Sequence, residues 1–412
     1  MSDFQSIDVK ASARIGVLSN PVQDYAWGSK TAIQDLLGKP GAADKPMAEL
    51  WMGAHPRAPS NVIVEGEWKA LNDIIEKEPE SLLGKEVAGK FSNKLPFLFK
   101  VLAAAKPLSI QVHPALQQAR KGFVRENRLG IPLEAPNRNY KDDNHKPEII
   151  CGLTSFQGLK GFRKIEESLD LMKKLSPVSL TNELRDLKES HDTKGLRQFF
   201  TALITMGKEK QRRVVTEAVN LAEKVISEDP AFRWMVELNS TYPGDIGVLS
   251  PLYLNLVLLN PGEALYLPAG ELHAYLEGVG IELMASSDNV LRGGLTPKHV
   301  DVPELLEVVN FNMENVRKIA PVKKGICEKI YPTPAEEFLL SVISTKQEVS
   351  FTSPRNRSVE ILICTKGEAG IKDLGTGELV TLSKGKSVII PATVAQYRVD
   401  GEAIFYKASV PF

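Results

Sequence analysis

Pro261-Gly262-Glu263-Ala264-Leu265-Tyr266-Leu267-Pro268-Ala269-Gly270-Glu271-Leu272-His273 reads as strand, tight turn, and strand ending on a histidine. The apolar run from Leu254 to Leu259 precedes it, and Asn260-Pro261-Gly262 ends that run with turn chemistry. The spacing is Gly, five residues, Pro, one residue, Gly, two residues, His. Glycines at such turns let two backbones approach, and the histidine then points into the β interior. A buried imidazole needs a partner, and the usual one is a metal.

This spacing resembles the second signature of the cupin barrel, a small closed jelly roll. The other ligands must then come from an earlier strand, and Ser109-Ile110-Gln111-Val112-His113-Pro114 supplies it. Gln111 and His113 are two apart, so on a strand both face one side while Ile110 and Val112 face the other. The usual first cupin signature has His at both positions and a Glu soon after. Here Gln replaces the first His, and the next carboxylate in an ordered context is Glu148, in His145-Lys146-Pro147-Glu148-Ile149-Ile150-Cys151. Gln111, His113, Glu148 and His273 make a donor set for a borderline divalent cation. Taken singly, each is as readily a core or surface residue.

The chain of 412 residues, 43% hydrophobic and 25% charged, has room for two or three domains. Lys plus Arg and Asp plus Glu are 51 each, so no global field favours nucleic acid or an anionic membrane. Three scattered cysteines argue against a disulfide framework or thiolate zinc and fit a reducing compartment. Met1 to Arg14 holds no apolar leader core, and no run of about 18 apolar residues occurs. A cytoplasmic protein without membrane or nucleic-acid partners, acting as a monomer, is expected.

Short strands and turns lead from Ile15 to a helix over Thr31 to Leu37. The stretch from Ala48 to Pro56 reads as core with a bulge, in which Glu49 and His55 are secondary site candidates. Lys100 interrupts the apolar run Phe97-Leu98-Phe99-Lys100-Val101-Leu102, a costly place for a charge unless it meets a partner or an anionic ligand. Residues 114–146 read as a long basic loop, of the kind more often functional than decorative. Ile165, Leu169, Met172 and Leu175, and then Val214, Val215, Ala218, Leu221, Ala222 and Val225, recur at helical spacing. Glu282, Asp288 and Arg292 offer a base, an orienting carboxylate and a cation within one polar stretch. Near the C-terminus Gly385 and Pro391 repeat the Gly262 to Pro268 spacing, with Thr393 and Gln396 where Gly270 and His273 stand. The expected fold is therefore mainly β with an α-helical insertion: two cupin-like (jelly-roll) β-barrels, the second without metal ligands. The expected domains are a catalytic barrel from residues 1–160 plus 245–310, helices in 161–244, and a degenerate barrel in 311–412.

Tyr25-Ala26-Trp27-Gly28-Ser29-Lys30, Glu49-Leu50-Trp51-Met52-Gly53-Ala54-His55-Pro56, Gln111-Val112-His113-Pro114, His145-Lys146-Pro147-Glu148 and Ser287-Asp288-Asn289-Val290-Leu291-Arg292 together resemble the type I mannose-6-phosphate isomerases, in family order from about residue 15 onward. The resemblance implies an enzyme with one Zn2+ per chain that interconverts mannose 6-phosphate and fructose 6-phosphate through a cis-enediol. It implies zinc ligands at Gln111, His113, Glu148 and His273, and an essential arginine at Arg292. It also implies substrate-side residues at Lys100, Ser109, Lys146, Glu282, Asp288 and His145. Of these, Arg292, Lys146, Glu282 and Asp288 are the catalytic candidates, and Lys100, Ser109 and His145 the substrate-binding ones. Lys100 and part of the basic loop are candidates for the phosphate. Two His and one carboxylate also suit an iron(II) dioxygenase, although Gln111 fills a position that oxygen chemistry needs open. A non-catalytic sugar-phosphate-binding cupin is the other alternative.

Overall fold

The computed structural model describes residues 13–39, 41–64 and 66–411; most of the N-terminal stretch read above for a leader, residues 1–12, lies outside them. The fold is mainly β, all strand pairs being antiparallel, in two large sheets with helices packed against them.

Strand Phe97–Ala104 shows how the sheets are placed. All eight of its residues are buried, and strand periodicity sends alternate side chains to opposite faces. Phe97, Phe99, Val101 and Ala103 pack with Tyr331, Phe338, Leu340, Ile361 and Ile363 of the C-terminal sheet. Leu102 and Ala104 pack on the other side with Phe156, Leu265, Leu267 and Tyr275. Lys100 lies on this second face. The run is apolar on both sides because each side meets a core, so the single lysine marks the site.

The first sheet runs Leu254–Leu259, Phe156–Phe162, His273–Ala285, Phe97–Ala104, Glu49–Met52, Val22–Gln23. Glu148–Gly152 pairs with both His273–Ala285 and Ala264–Leu267. Ile110–Val112 pairs with Leu291–Gly294 and touches the start of His273–Ala285. In that long strand Ala274 and Leu276 face the helices, whereas Ile281 and Leu283 face the C-terminal sheet. A register shift between Tyr275 and Glu277 changes the parity. The extra residue of such a bulge brings His273, Tyr275, Glu282 and Met284 to the inner side of one strand.

Five α-helices, Ile165–Leu175, Thr181–Glu189, Thr193–Thr205, Lys208–Lys224 and Pro230–Thr241, fill the region where helical periodicity was read. Asp192 and Asp229 cap two of them through the backbone N–H groups of Gly195 and Ala231. Phe199, Phe200, Leu203, Val215 and Trp234 form one core with Ile110, Val112, Leu276 and Leu291. The helices therefore back the Gln111 strand, and Gln111, alternating with Ile110 and Val112, turns away from them.

Two features differ from expectation. Residues 114–146 are not all loop, since Leu116–Arg128 is a helix. Also, the C-terminal sheet is extended by Gly16–Ser19, Asn61–Val64 and Glu67–Ala70 from the start of the chain, through pairs such as Val17 with Val388. The repeated turn spacing is reproduced: Gly262 and Gly385 both have φ of 84°, which a side chain would resist.

Candidate active site and metal centre

His113, Glu148 and His273 converge although 160 residues separate the first from the last. Their ligating atoms all lie within 4.8 Å of one another, and all three residues are buried. The His113 Nε2 is 3.3 Å from Glu148 Oε1, and the His273 Nε2 is 3.5 Å from Glu148 Oε2. Each Nδ1 meets a backbone carbonyl, Asn289 O at 2.7 Å and Glu271 O at 2.9 Å. A carbonyl only accepts, so Nδ1 carries the proton and each Nε2 presents a lone pair to the carboxylate. The buried Nε2 of His113 has no hydrogen-bond partner. Lone pairs converging on a carboxylate in a dry pocket are repulsive unless a cation lies between them. Burial pushes the His113 imidazole down to about 4, against the pull of Glu148. For Glu148 burial acts upward, but His113 and Lys146, whose Nζ is 3.4 Å away, hold the carboxyl well below its ordinary range. One imidazole that burial keeps neutral, a second imidazole and an ionised carboxylate fit a zinc-type ion. Gln111 stands opposite both His273 and Arg292 in the strand register and lines the cleft above.

That cleft encloses about 430 Å³, and Lys100, Ser109, Gln111, Lys146, Asp288 and Arg292 line it. Lys100 is buried with its Nζ 2.8 Å from Glu282 Oε2 and 3.8 Å from Glu49 Oε1. Burial opposes its charge, but the two carboxylates outweigh that and raise its pKa. Burial also raises the Glu282 carboxyl, with Lys100 offsetting part of the effect. Trp51 donates its indole N–H to Glu49 at 2.6 Å, fixing the outer carboxylate. Asp288 accepts from Arg57 at 2.8 Å and lies 3.4 Å from His55 Nε2. Burial would lift its pKa, but His55 and Arg57 bring it down to about 2.

The cations left without strong partners lie elsewhere on the wall. Arg292 is half-buried, has no carboxylate partner among the described residues, and is shifted down by burial alone. Arg292 is also the first cause that lowers Lys298, ahead of burial and Lys141. Arg292 and Lys298, with Lys141 beside them at 3.5 Å from the exposed Glu134, face one cleft and are held ready for an anion.

The chain covers 93% of its length in an alignment with the mannose-6-phosphate isomerase of Escherichia coli, at 42% identity and 96% coverage of that protein, and aligns with the human mannose-6-phosphate isomerase at 35% identity, with 93% and 94% covered. The chain belongs to the type I phosphomannose isomerases. The profile of the phosphomannose isomerase type I catalytic domain matches residues 15–165. A crystal structure titled mannose 6-phosphate isomerase, holo and zinc-bound, superposes with a TM-score of 0.88 at 38% identity, covering 97% of this chain and all of that one. A mutant phosphomannose isomerase from Salmonella typhimurium gives 0.89 with the same coverage.

Within this isomerase fold, ten of the eleven site residues expected from sequence either line the cleft or lie directly beneath it, paired with its wall or floor. His145 is the exception. Its side chain turns out of the cleft to Glu337, with Nε2 2.5 Å from Oε1. Lys100 is in the wall, where it is already paired with two carboxylates. Lys298, Lys141 and Glu49 are the residues that sequence reasoning passed over or ranked low. Glu49 had one available signal, its alternation with Trp51 across from Lys100.

Proposed function

We propose that the protein is a zinc-dependent isomerase interconverting mannose 6-phosphate and fructose 6-phosphate through a cis-enediol. The observation that carries this is the vertical order of the cleft: a metal-competent His-Glu-His floor, a carboxylate–lysine pair beside it, and unneutralised cations on the wall. His113, Glu148 and His273 would hold the zinc, and the Gln111 amide oxygen would be a further donor. Zinc, when bound, acts as a Lewis acid toward the sugar oxygens.

Glu282 moves the proton between carbon 2 and carbon 1. Its raised carboxyl is closer to the working pH than that of Asp288, held near 2. Lys100 keeps that carboxylate oriented. Arg292 faces the oxygens where charge develops, and Lys146 donates from the metal side. Ser109 orients the sugar. Arg292, Lys298 and Lys141 seat the phosphate, whose charge offsets their mutual repulsion. Asp288 is a positioning carboxylate, fixed by Arg57 and His55.

The two sheets are read as cupin-like barrels, one built largely from residues 1–160 and 245–310 and the other from 311–412 together with strands Gly16–Ser19, Asn61–Val64 and Glu67–Ala70, with 161–244 as a helical insertion. The second carries no metal. In support, Gln396, at the histidine position, donates to Ser353 O at 2.8 Å, and the interior charges pair among themselves. The protein is read as a cytoplasmic monomer, in keeping with three free cysteines.

The test is a coupled assay for fructose 6-phosphate from mannose 6-phosphate on protein as purified, after chelation, and after zinc is restored. Activity lost to chelator and recovered with zinc is expected. A folded, zinc-loaded sample with no turnover would overturn the reading.

A further inference from the structure

His145 and Lys146 are neighbours that go opposite ways. The segment leads into strand Glu148–Gly152, where alternate residues face opposite sides. Lys146 and Glu148 face the site, while His145 goes outward, on the side where Ile149 and Cys151 meet the C-terminal sheet. The partner it finds there, Glu337, lies between strands Glu328–Tyr331 and Leu339–Thr345 of that sheet. Ala335 and Phe338, on either side of Glu337, are buried in the core shared by the two sheets, which makes its backbone a firm support.

Glu337 is itself buried, and its second oxygen, Oε2, has no hydrogen-bond partner. Burying a carboxylate with one oxygen unbonded is unfavourable unless the remaining bond is strong. Among side chains, His145 supplies that bond at 2.5 Å, and the backbone N–H groups of Glu336 and Glu337 add to it. Apart from an exposed contact between Lys141 and Glu134 at 3.5 Å, the other side-chain ties of residues 141–145 to the rest of the chain run to a single loop. Asn289 Oδ1 accepts from Lys141 N at 2.7 Å, Asp142 accepts from Ser287 and from Asp288 N, and Asn289 donates to Asn144 O at 2.8 Å. That loop carries Asp288 and leads to Arg292. Two cleft-forming segments are thus laced to each other, and the side-chain tie from this pair to the other sheet is Glu337.

We propose that Glu337 is a positioning residue: through His145 the C-terminal half of the chain sets where the Lys146 segment, and the Asp288 loop laced to it, stand in the cleft. This rests on the isomerase reading for its kinetic consequence but not for its structural one. The site is then assembled across the two sheets, although every residue facing the cleft comes from the first 300.

The experiment compares Glu337→Ala and Glu337→Gln in the full-length zinc-loaded protein. Loss of the tie in the Ala variant is expected to lower kcat by roughly tenfold, as a small misplacement of a catalytic group does, with KM within about twofold. Zinc content stays at the wild-type level. The Gln variant keeps a hydrogen bond to His145 and recovers most of kcat. Hydrogen exchange over residues 141–149 should quicken in the Ala variant and not in the Gln variant, and this readout does not depend on turnover. A kcat unchanged in the Ala variant overturns the proposal. So does a lowered kcat with unaltered exchange over 141–149, since Glu337 would then act by another route. If wild-type protein fails to isomerise mannose 6-phosphate, the functional reading falls, and the exchange result alone decides whether Glu337 holds the segment.

Discussion

At the residue scale, the site separates charges that are spent from charges that are available. Lys100 is spent on Glu282 and Glu49, Asp288 on Arg57 and His55, while Arg292 has no carboxylate partner among the described residues. Arg292→Ala should therefore cut kcat/KM by about a hundredfold or more while leaving bound zinc unchanged, checked by steady-state kinetics beside metal analysis. Parallel loss of zinc would make Arg292 a structural residue. Asp288 gives a pH prediction. Its carboxyl is held near 2 in the folded protein against an ordinary 3.8. A depressed folded pKa contributes stability that is complete above the unfolded value and fades as pH falls toward the folded one. After allowance for partial exposure, the ion pairs should contribute about 1–2 kcal/mol at pH 6 and about half that at pH 3. Urea unfolding of Asp288→Asn against wild type at both pH values measures it, and an equal difference at the two would refute the assignment. The cluster of His113, Glu148 and His273 was legible in the sequence because turn glycines, Q-x-H and K-P-E are local patterns. The spent state of Lys100 was not, because its two carboxylates arrive from strands 51 and 182 residues away.

At the element scale, the helix Leu116–Arg128 shows where periodicity has no purchase. Its buried positions are Ala119, Gly122 and Glu126, so it carries no apolar stripe to read. Contacts with the following loop hold it. Glu126 takes the buried guanidinium of Arg138 at 3.0 Å and accepts from Tyr140 N at 2.9 Å. The ring of Tyr140 lies against Gly122, where an added Cβ would come within 2.3–2.5 Å of it. Gly122→Ala is therefore expected to destabilise by about 1–3 kcal/mol, overriding the roughly 1 kcal/mol that alanine ordinarily gains over glycine inside a helix. Thermal unfolding decides it, and a stabilised variant would mean that the ring moves freely. By contrast, the helices of residues 165–241 were legible because Leu171, Met172, Val214, Val215 and Ala218 are buried in one core.

At the scale of the whole molecule, the C-terminal sheet buries carboxylates together with a cation of its own. The repeat of Gly385 and Pro391 announced the sheet, but not that strands Gly16–Ser19 and Asn61–Val64 would complete it. That pairing is set by partners some 370 residues apart, and no local pattern encodes it. Inside the sheet, Lys407 brings its Nζ to 2.7 Å from Glu328 and 3.2 Å from Glu360, and Glu360 also lies 3.5 Å from Arg357. All four residues are buried. Burial opposes the Lys407 charge, yet the two carboxylates raise its pKa, so the ammonium stays charged and joins three strands. Removing it leaves Glu328 with no other cation and Glu360 with only the longer contact to Arg357. Lys407→Met should then cost about 3–5 kcal/mol, the ordinary penalty for breaking a buried pair from one side. Adding Glu328→Gln and Glu360→Gln to that variant should return much of the loss, because the charges that needed Lys407 are gone. Denaturant unfolding of the single and triple variants measures both steps. Lys407 serves as the internal cation of this sheet if the triple variant is the more stable, and its role is packing of the aliphatic stem if the two are equally destabilised.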